Sequence, residues 1–564
     1  MSDLCFGKNF QVVLCLFSAL LLQDTAFCAK KPTNASGSPS VQPPRAKPDT
    51  APGSSTDSYN IRGFTKENGG RIAEDNVAGI CIKKNEIILL GYDKKYTSEP
   101  LKDGETFSDI NFFKKYPKLV SVEFTEIELP KERLENIQKF LPKNIKNIVI
   151  DSCKIESENI EQLADVIKKR KKIKNVTIRL IDNGTEALGR ILSAIAELSN
   201  LTTLCLTFDK VTKELCQTIS KIIKRSSKTL ANVTLAWDSL DEQDAGGEKE
   251  AETKKDTDGE KEKEAEKETD GEKENEDKKK AEGKKDEEDK KESDGEKETE
   301  AEKEADGAKE SAAYQLLAES IGKINEPKTF ELSIMKIIDE KSTTDLFSGI
   351  AKLTKLSTFK LFLGNISVQN RVELFANAET LGNSLKEMTQ LVALDISGMM
   401  LPKDVMQVLA QDLKNLEKLK SLDLSGNAIT PECAEALAES LKGKGLITLA
   451  VNGCELTAST FSTLCKALDN SPLTILYASN NAIKEGIKSL PVKTMTNLKV
   501  VDFSKNEIAF DNTMELIKLT AEHPNLQCIC FGNNAPLDEN AQSKRDDLEN
   551  WKRENKCHTA FLGL

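Results

Sequence analysis

A short motif returns along this chain at intervals close to 28 residues, from Leu119 to Leu526. It is clearest as LKSLDLSGNAI at residues 419–429 and follows the template LxxLxLxxNxL. Most steps run from 25 to 29 residues, with one of 35 and one of 97, from Leu230 to Pro327. Self-similarity at a fixed period of this length defines an architecture of stacked units before any single residue is considered. It also favours an extended binding surface over a catalytic pocket.

Each LxxLxL is expected to be a short strand. Its first, fourth and sixth positions point inward, so Leu419, Leu422, Leu424 and Ile429 are the predicted core of that unit. Asn427 is expected to turn inward and bond the free backbone groups of the turn, which are costly to bury unpaired. Cys153 and Cys454 occupy the same slot in their repeats. A helix should follow each strand. In SENIEQLADVI (residues 157–167), Ser157 is the expected N-cap, and Ile160, Leu163, Ala164 and Ile167 share one face. TPECAEALAESL (residues 430–441) opens with a cap, Thr430, and Pro431 at the first helical position. One such unit cannot bury its own apolar face, so neighbours must stack.

A strand plus a full helix in about 28 residues resembles the ribonuclease-inhibitor-like class of leucine-rich repeat proteins. LSGNAITPECAEALAESL and VNGCELTASTFSTLCKAL are the stretches that carry the likeness, which extends over residues 119–536. It implies an α/β solenoid with parallel strands on a concave face and helices on the convex face. For function it implies little beyond a docking surface.

Residues 10–22, FQVVLCLFSALLL, are apolar but too few to span a bilayer. Small residues Ala26 and Cys28 then stand at −3 and −1 of a cut after Cys28. The pattern predicts a secretory signal peptide over 1–28. Residues 29–58, rich in Pro, Ser and Lys, predict a flexible linker. Residues 59–118 are expected to cap the first repeat, with a β-hairpin in VAGICIKKNEIILLGYD (residues 77–93). At the other end, 537–564 should form a second cap, a polar helix near 538–555 with Trp551 on its inner side.

The long step has its own explanation. Residues 241–310 consist mainly of Glu, Lys, Asp, Gly, Ala and Thr, without one aromatic residue, Val, Ile or Leu. The length of this stretch matches the excess of the 97-residue step over one repeat. It is therefore expected to be an insertion within one unit, with stacking unbroken between the repeats of 119–240 and those of 311–536. Glycines recur every 12 residues from Gly247 to Gly307. The segment carries a charge of −15 in a chain of −12, so the remainder is slightly basic. With so little apolar surface to offset chain entropy, disorder is the expectation. It is either an acidic tether for a basic partner or a tolerated surface expansion.

Little in the chain points to catalysis. There are two histidines, His523 and His558, and neither belongs to a recognisable catalytic arrangement. No GxxxxGK[ST], HExxH or zinc-type CxxC pair occurs. No enzyme activity, cofactor or metal is expected. The cysteines of the repeats fall on core turns, helices and strand faces, a distribution that predicts free thiols. Free thiols and a secretory signal are compatible if the protein ends in a reducing place, such as the cytosol of another cell. Asn175 and Asn232 lie in glycosylation sequons on the strand face.

For partner binding, template position 8 holds large apolar residues in five consecutive repeats: Leu180, Phe208, Trp237, Ile334 and Leu363, with Phe362 beside them. The row is either an exposed protein-binding strip or core tucked under the turn. The leading expectation is a secreted, non-enzymatic protein-binding solenoid, acting as a pathogen or symbiont effector on a host protein. The partner is expected to be a protein, one with a basic patch if the acidic segment takes part. Nucleic acid and stable membrane insertion are not expected. The alternatives are a regulator of a small GTPase, of the Ran-GTPase-activating type, and a cell-surface adhesin.

Overall fold

The computed structural model describes residues 65–66, 72, 77–83, 86–91, 95–100, 113, 116–180, 185–240, 312–335, 340–364, 378–520, 523–534, 541–554 and 559–562. The expected signal peptide, linker and 241–310 insert, together with His558, lie outside these residues.

Eighteen strands among the described residues form one sheet. At the N-terminal end are β1 (Thr65–Lys66), β2 (Val77–Lys83), β3 (Glu86–Gly91) and β4 (Lys95–Pro100). The repeats supply β5 (Ser121–Thr125), β6 (Asn147–Asp151), β7 (Asn175–Leu180), β8 (Thr203–Val211), β9 (Asn232–Leu240), β10 (Thr329–Ile334) and β11 (Thr358–Leu363). They continue as β12 (Ala393–Asp395), β13 (Ser421–Asp423), β14 (Thr448–Ala450), β15 (Ile475–Tyr477), β16 (Val500–Asp502) and β17 (Cys528–Cys530), and β18 (Ala560–Leu562) ends the sheet. From β5 onward every neighbour is parallel and paired at the same template position, as Asn147↔Asn175↔Thr203↔Asn232 shows. Helices alternate with the strands, and the architecture is an α/β leucine-rich repeat solenoid.

The expected hairpin is present: β2 and β3 pair antiparallel, and β2 then pairs in parallel with β5. The strands flanking the acidic segment are direct neighbours. Asn232 lies opposite Thr329 and Trp237 opposite Ile334, so stacking continues from β9 to β10. The C-terminal helix Ala541–Glu554 is followed by β18, which sequence patterning did not suggest.

The core runs between sheet and helices. Positions 1, 4 and 6 are buried throughout, as with Leu419, Leu422 and Leu424. Asn427 is fully buried, as its slot requires. Its Nδ2 donates to the carbonyls of Ile396 and Leu424, both at 2.9 Å, and its Oδ1 accepts from Leu401 N–H at 3.1 Å. Asn481 repeats the pattern one unit away from Cys454, whose backbone N–H it accepts at 2.8 Å. Thr430 caps the helix Pro431–Leu441 as expected. Ser157 does not cap its helix; it begins a single 3-10 turn, Ser157–Asn159, ahead of the helix Ile160–Lys168. The 25-residue step from Leu473 to Leu498 leaves less room for a helix, and its repeat carries the 3-10 segment Lys484–Ser489 instead. Gly486 makes that possible, because a Cβ there would stand 2.7 Å from the Ala458 backbone.

Among the described residues, one buried cation, Arg170, has no carboxylate at ion-pair distance. Arg170 donates to the carbonyls of Val166, Ile137, Gln138 and Leu141, the first and last at 2.7 Å. These carbonyls close the helices Lys131–Phe140 and Ile160–Lys168, where the negative ends of the helix dipoles accumulate. Burial lowers the Arg170 pKa to about 10, so it stays charged at neutral pH.

Candidate functional site: the open face of the sheet

The sheet has one face against the helices and one open. Strand pleating decides which side chains reach each, because successive residues alternate. Positions 3, 5 and 7 face outward, and positions 4 and 6 inward. Position 8 then has two states. In eight repeats the chain turns there with φ between +52° and +72°, at Glu126, Ser152, Gly398, Gly426, Gly453, Asn480, Lys505 and Asn533. In the other five the strand runs on, and position 8 shares the inward parity of 4 and 6.

Those five are Leu180, Phe208, Trp237, Ile334 and Leu363, and all are buried, at 4% exposure or less. The exposed strip considered as a binding surface therefore does not exist: these residues fill the core of the longer strands. Phe362 stands apart. It has the opposite parity to Leu363, is half-buried, and lies on the open face. Its ring covers two glycines; a Cβ at Gly398 would meet it at 2.7 Å and one at Gly364 at 2.8 Å.

Beside Phe362, position 5 of four successive strands forms a charged ladder in register: Glu331, Lys360, Asp395 and Asp423. Lys360 Nζ is 3.1 Å from Asp395 Oδ2 and 3.9 Å from Glu331 Oε1. Thr234 Oγ1, the preceding rung, donates to Glu331 at 3.3 Å. The aspartates also hold the turns. Asp395 Oδ1 accepts from Ser397 N–H at 3.0 Å, Asp423 Oδ1 from Ser425 N–H at 2.9 Å, and Asp502 Oδ1 from Ser504 N–H at 2.9 Å. Burial, and then the neighbouring Asp395 carboxylate, push the Asp423 pKa up to about 6.

At the C-terminal end of the same face, Tyr477, Asp502 and Cys530 continue the row, with Cys528 Sγ 3.9 Å from Cys530 Sγ. Burial raises the Cys530 pKa to about 12, and the thiol of Cys528 and the carboxylate of Asp502 add to the shift. The nine described cysteines are all free, in agreement with the expectation from their positions. Burial holds Cys216, Cys433 and Cys454 as thiols, with pKa values of about 12. His523 is structural. Its Nδ1 accepts from Asn525 N–H and Leu526 N–H, so Nε2 is the donor to Met495 O at 3.0 Å. Among the described residues no group of three His, Cys, Asp or Glu is placed to hold a metal ion.

Residues 415–438, one repeat of the array, match the family described as Leucine Rich repeat. No curated protein matches the chain. Among solved structures the chain is similar to an internalin (inlF) from Listeria monocytogenes str. 4b F2365, at 13% identity and a TM-score of 0.32, over 72% of this chain and 90% of that one. It is also similar to the Rad7 and Elc1 complex in yeast, at 12% identity and a TM-score of 0.31, over 67% and 84%.

Of the six residues considered from the sequence, Phe362 is the one that the structure places on the open face, and the ladder was not read as a unit. Position 5 was legible in each repeat, but spacing alone does not show that Lys360 reaches from Glu331 to Asp395.

Proposed function

We propose that this chain is a non-enzymatic protein-binding scaffold that holds its partner on the open face of the sheet. The observation that carries the reading is the pairing of an outward aromatic ring, Phe362, with a charged ladder on adjoining strands, Glu331 to Asp423. Strands in fixed register present these groups with little conformational freedom to lose on binding, which is what preorganised recognition needs. A fitting partner offers a basic group to Asp395 and Asp423 and an apolar hollow to the ring of Phe362. The ribonuclease-inhibitor-like repeat class and secretion through the segment 1–28 belong to the same reading, with delivery into another cell as its natural end point for a thiol-rich chain.

The test is a comparison of full-length chain with Phe362→Asp in affinity capture from host-cell extract. Retention of a defined protein by the first and its loss by the second, at equal thermal stability, supports the reading. Equal retention by both removes the open face as the site. Secretion is tested separately, by sequencing the N-terminus of exported protein; a start at Met1 sinks it.

A further inference from the structure

The edge of the solenoid where helices end and strands begin has a character of its own. Template position 2 is linked from strand to strand by one uninterrupted row of backbone hydrogen bonds. Lys146 N donates to Val120 O, Lys174 N to Lys146 O, and Thr202 N to Lys174 O. The row continues through Lys328 and Lys420 to Lys499 and Gln527, with distances of 2.7–2.9 Å. The strand starts therefore share one register, and the edge is a continuous rim of twelve steps, about 58 Å of backbone spacing at ~4.8 Å per step.

This rim is basic. Lys146, Lys174, Lys328 and Lys499 all stand exposed on the row itself. The densest part is KKRKKIK, residues 168–174, joined across the first step by Lys143 and Lys146. Arg170 is its one buried cation. Helix dipoles account for cations in the last helical turn, such as Lys168. They do not account for Lys143, Lys146, Lys172 and Lys174, which lie beyond the helices. Glu197 answers Lys168 and Lys171. Among the described residues, Lys143, Lys146, Lys172 and Lys174 have no carboxylate at ion-pair distance. The opposite edge has the contrary bias, with Glu126, Glu128, Glu156, Glu158 and Glu214 around the strand ends and helix starts. The −15 segment 241–310 also leaves from that opposite edge, at Leu240.

We propose that the basic rim docks this protein edge-on to an anionic lipid surface. Three observations select this occupant. The strand starts share one register, so exposed lysines such as Lys146, Lys174, Lys328 and Lys499 lie along one continuous edge, which suits an extended anionic surface. The cluster around residues 143–174 exposes lysine and no aromatic side chain, so it lacks both the stacking groups of single-strand nucleic-acid binders and the aromatic anchors of protein interfaces, where lysine is depleted. Its charges are compact ammonium groups, which sum over an anionic surface without specific geometry. In this orientation the acidic edge, with Leu240 at the end of β9, lies away from the lipid, and the open face stays accessible to a partner. Attachment is electrostatic and peripheral: no helix among the described residues is long and apolar enough to cross a membrane.

The experiment sediments full-length chain with phosphatidylcholine vesicles, with and without phosphatidylserine. Binding is expected only with phosphatidylserine, and it should fall as salt is raised. Replacing Lys146, Lys172 and Lys174 together by Gln should weaken it on the order of a hundredfold. The same exchange at Lys154 and Lys213, on the other edge, should leave it unchanged. Lys146, Lys154, Lys172 and Lys174 are exposed and Lys213 is half-buried; matching thermal melts verify that the variants fold, and the lipid comparison on the unmodified chain does not depend on them. Absence of phosphatidylserine-dependent binding at low salt overturns the proposal, and so does equal binding by the triple variant. Binding to duplex DNA that the triple variant loses, with vesicles ignored, would reassign the rim to nucleic acid.

Discussion

The Lys360 ammonium stands 3.1 Å from the Asp395 carboxylate, one strand step away on the open face. Both side chains are largely screened from water, at 16% exposure each, so the pair is stronger than a surface ion pair of the same length. It leaves Asp423, the next rung, facing an acid that already has its cation.

That arrangement gives stability a definite pH dependence. Asp423 has a folded pKa of about 6, raised above its unfolded value chiefly by burial and next by Asp395. Between roughly pH 4 and 6 the native state thus binds the extra proton. Stability contributed by this group is fully present below that window and is lost as pH rises through it, by at most about 3 kcal/mol. Asp423→Asn keeps the amide oxygen as acceptor for Ser425 N–H and removes the titration. It should be more stable than the parent at pH 7, and denaturant midpoints should differ less between pH 4 and 7. An unchanged pH profile would show that Asp423 does not titrate there.

Trp237 separates core from surface. It is 2% exposed, and its indole N–H has no hydrogen-bond partner. Trp237→Ala should destabilise the array by about 3–5 kcal/mol. Trp237→Phe should cost much less, since it gives up no hydrogen bond and retains most of the apolar contact. Partner binding measured below the melting transition should be the same for all three chains.

The period, the inward leucines, the buried asparagines and the continuity across the insert were all legible in the sequence. So is the information that decides position 8. A left-handed backbone is costly for bulky apolar residues. Leu180, Phe208, Trp237, Ile334 and Leu363 therefore report that the strand continues, whereas Gly398, Gly426 and Asn480 report that it turns. Strand lengths agree: β8 to β11 run six to nine residues, and β12 to β17 run three. What could not be read was the shape of single contacts. Nothing in the spacing announces that Phe362 crosses to Gly398, or that Arg170 gathers four carbonyls from two helices. β18 escaped notice because Ala560, Phe561 and Leu562 follow a helix without the LxxLxL signature.

The contact between Phe362 and Gly398 supports a double-mutant test. Gly398 has φ +72°, so alanine there meets two penalties: left-handed strain, about 1 kcal/mol, and collision of its Cβ with the ring. Gly398→Ala should destabilise the parent by more than it destabilises Phe362→Ala, where the ring is gone. The difference is the steric part, expected near 1 kcal/mol or more. Additive effects in denaturant unfolding would show that the ring moves aside freely.

The last prediction concerns the segment 241–310. Its neighbours β9 and β10 pair along six residues, from Asn232↔Thr329 to Trp237↔Ile334, without help from it. Joining residue 240 to residue 312 by a short Gly/Ser linker should therefore leave the array folded. A shorter connection loses less entropy on closure, and a tenfold reduction is worth about 2 kcal/mol in the flexible-loop limit. Stability should be unchanged or slightly raised, and the circular dichroism of the remaining repeats should be retained. Removal of −15 charges should also strengthen attachment to phosphatidylserine vesicles, more so at low salt, because long-range repulsion from the lipid disappears. A deletion that unfolds the repeats would mean that the acidic segment packs on the solenoid, contrary to the composition argument.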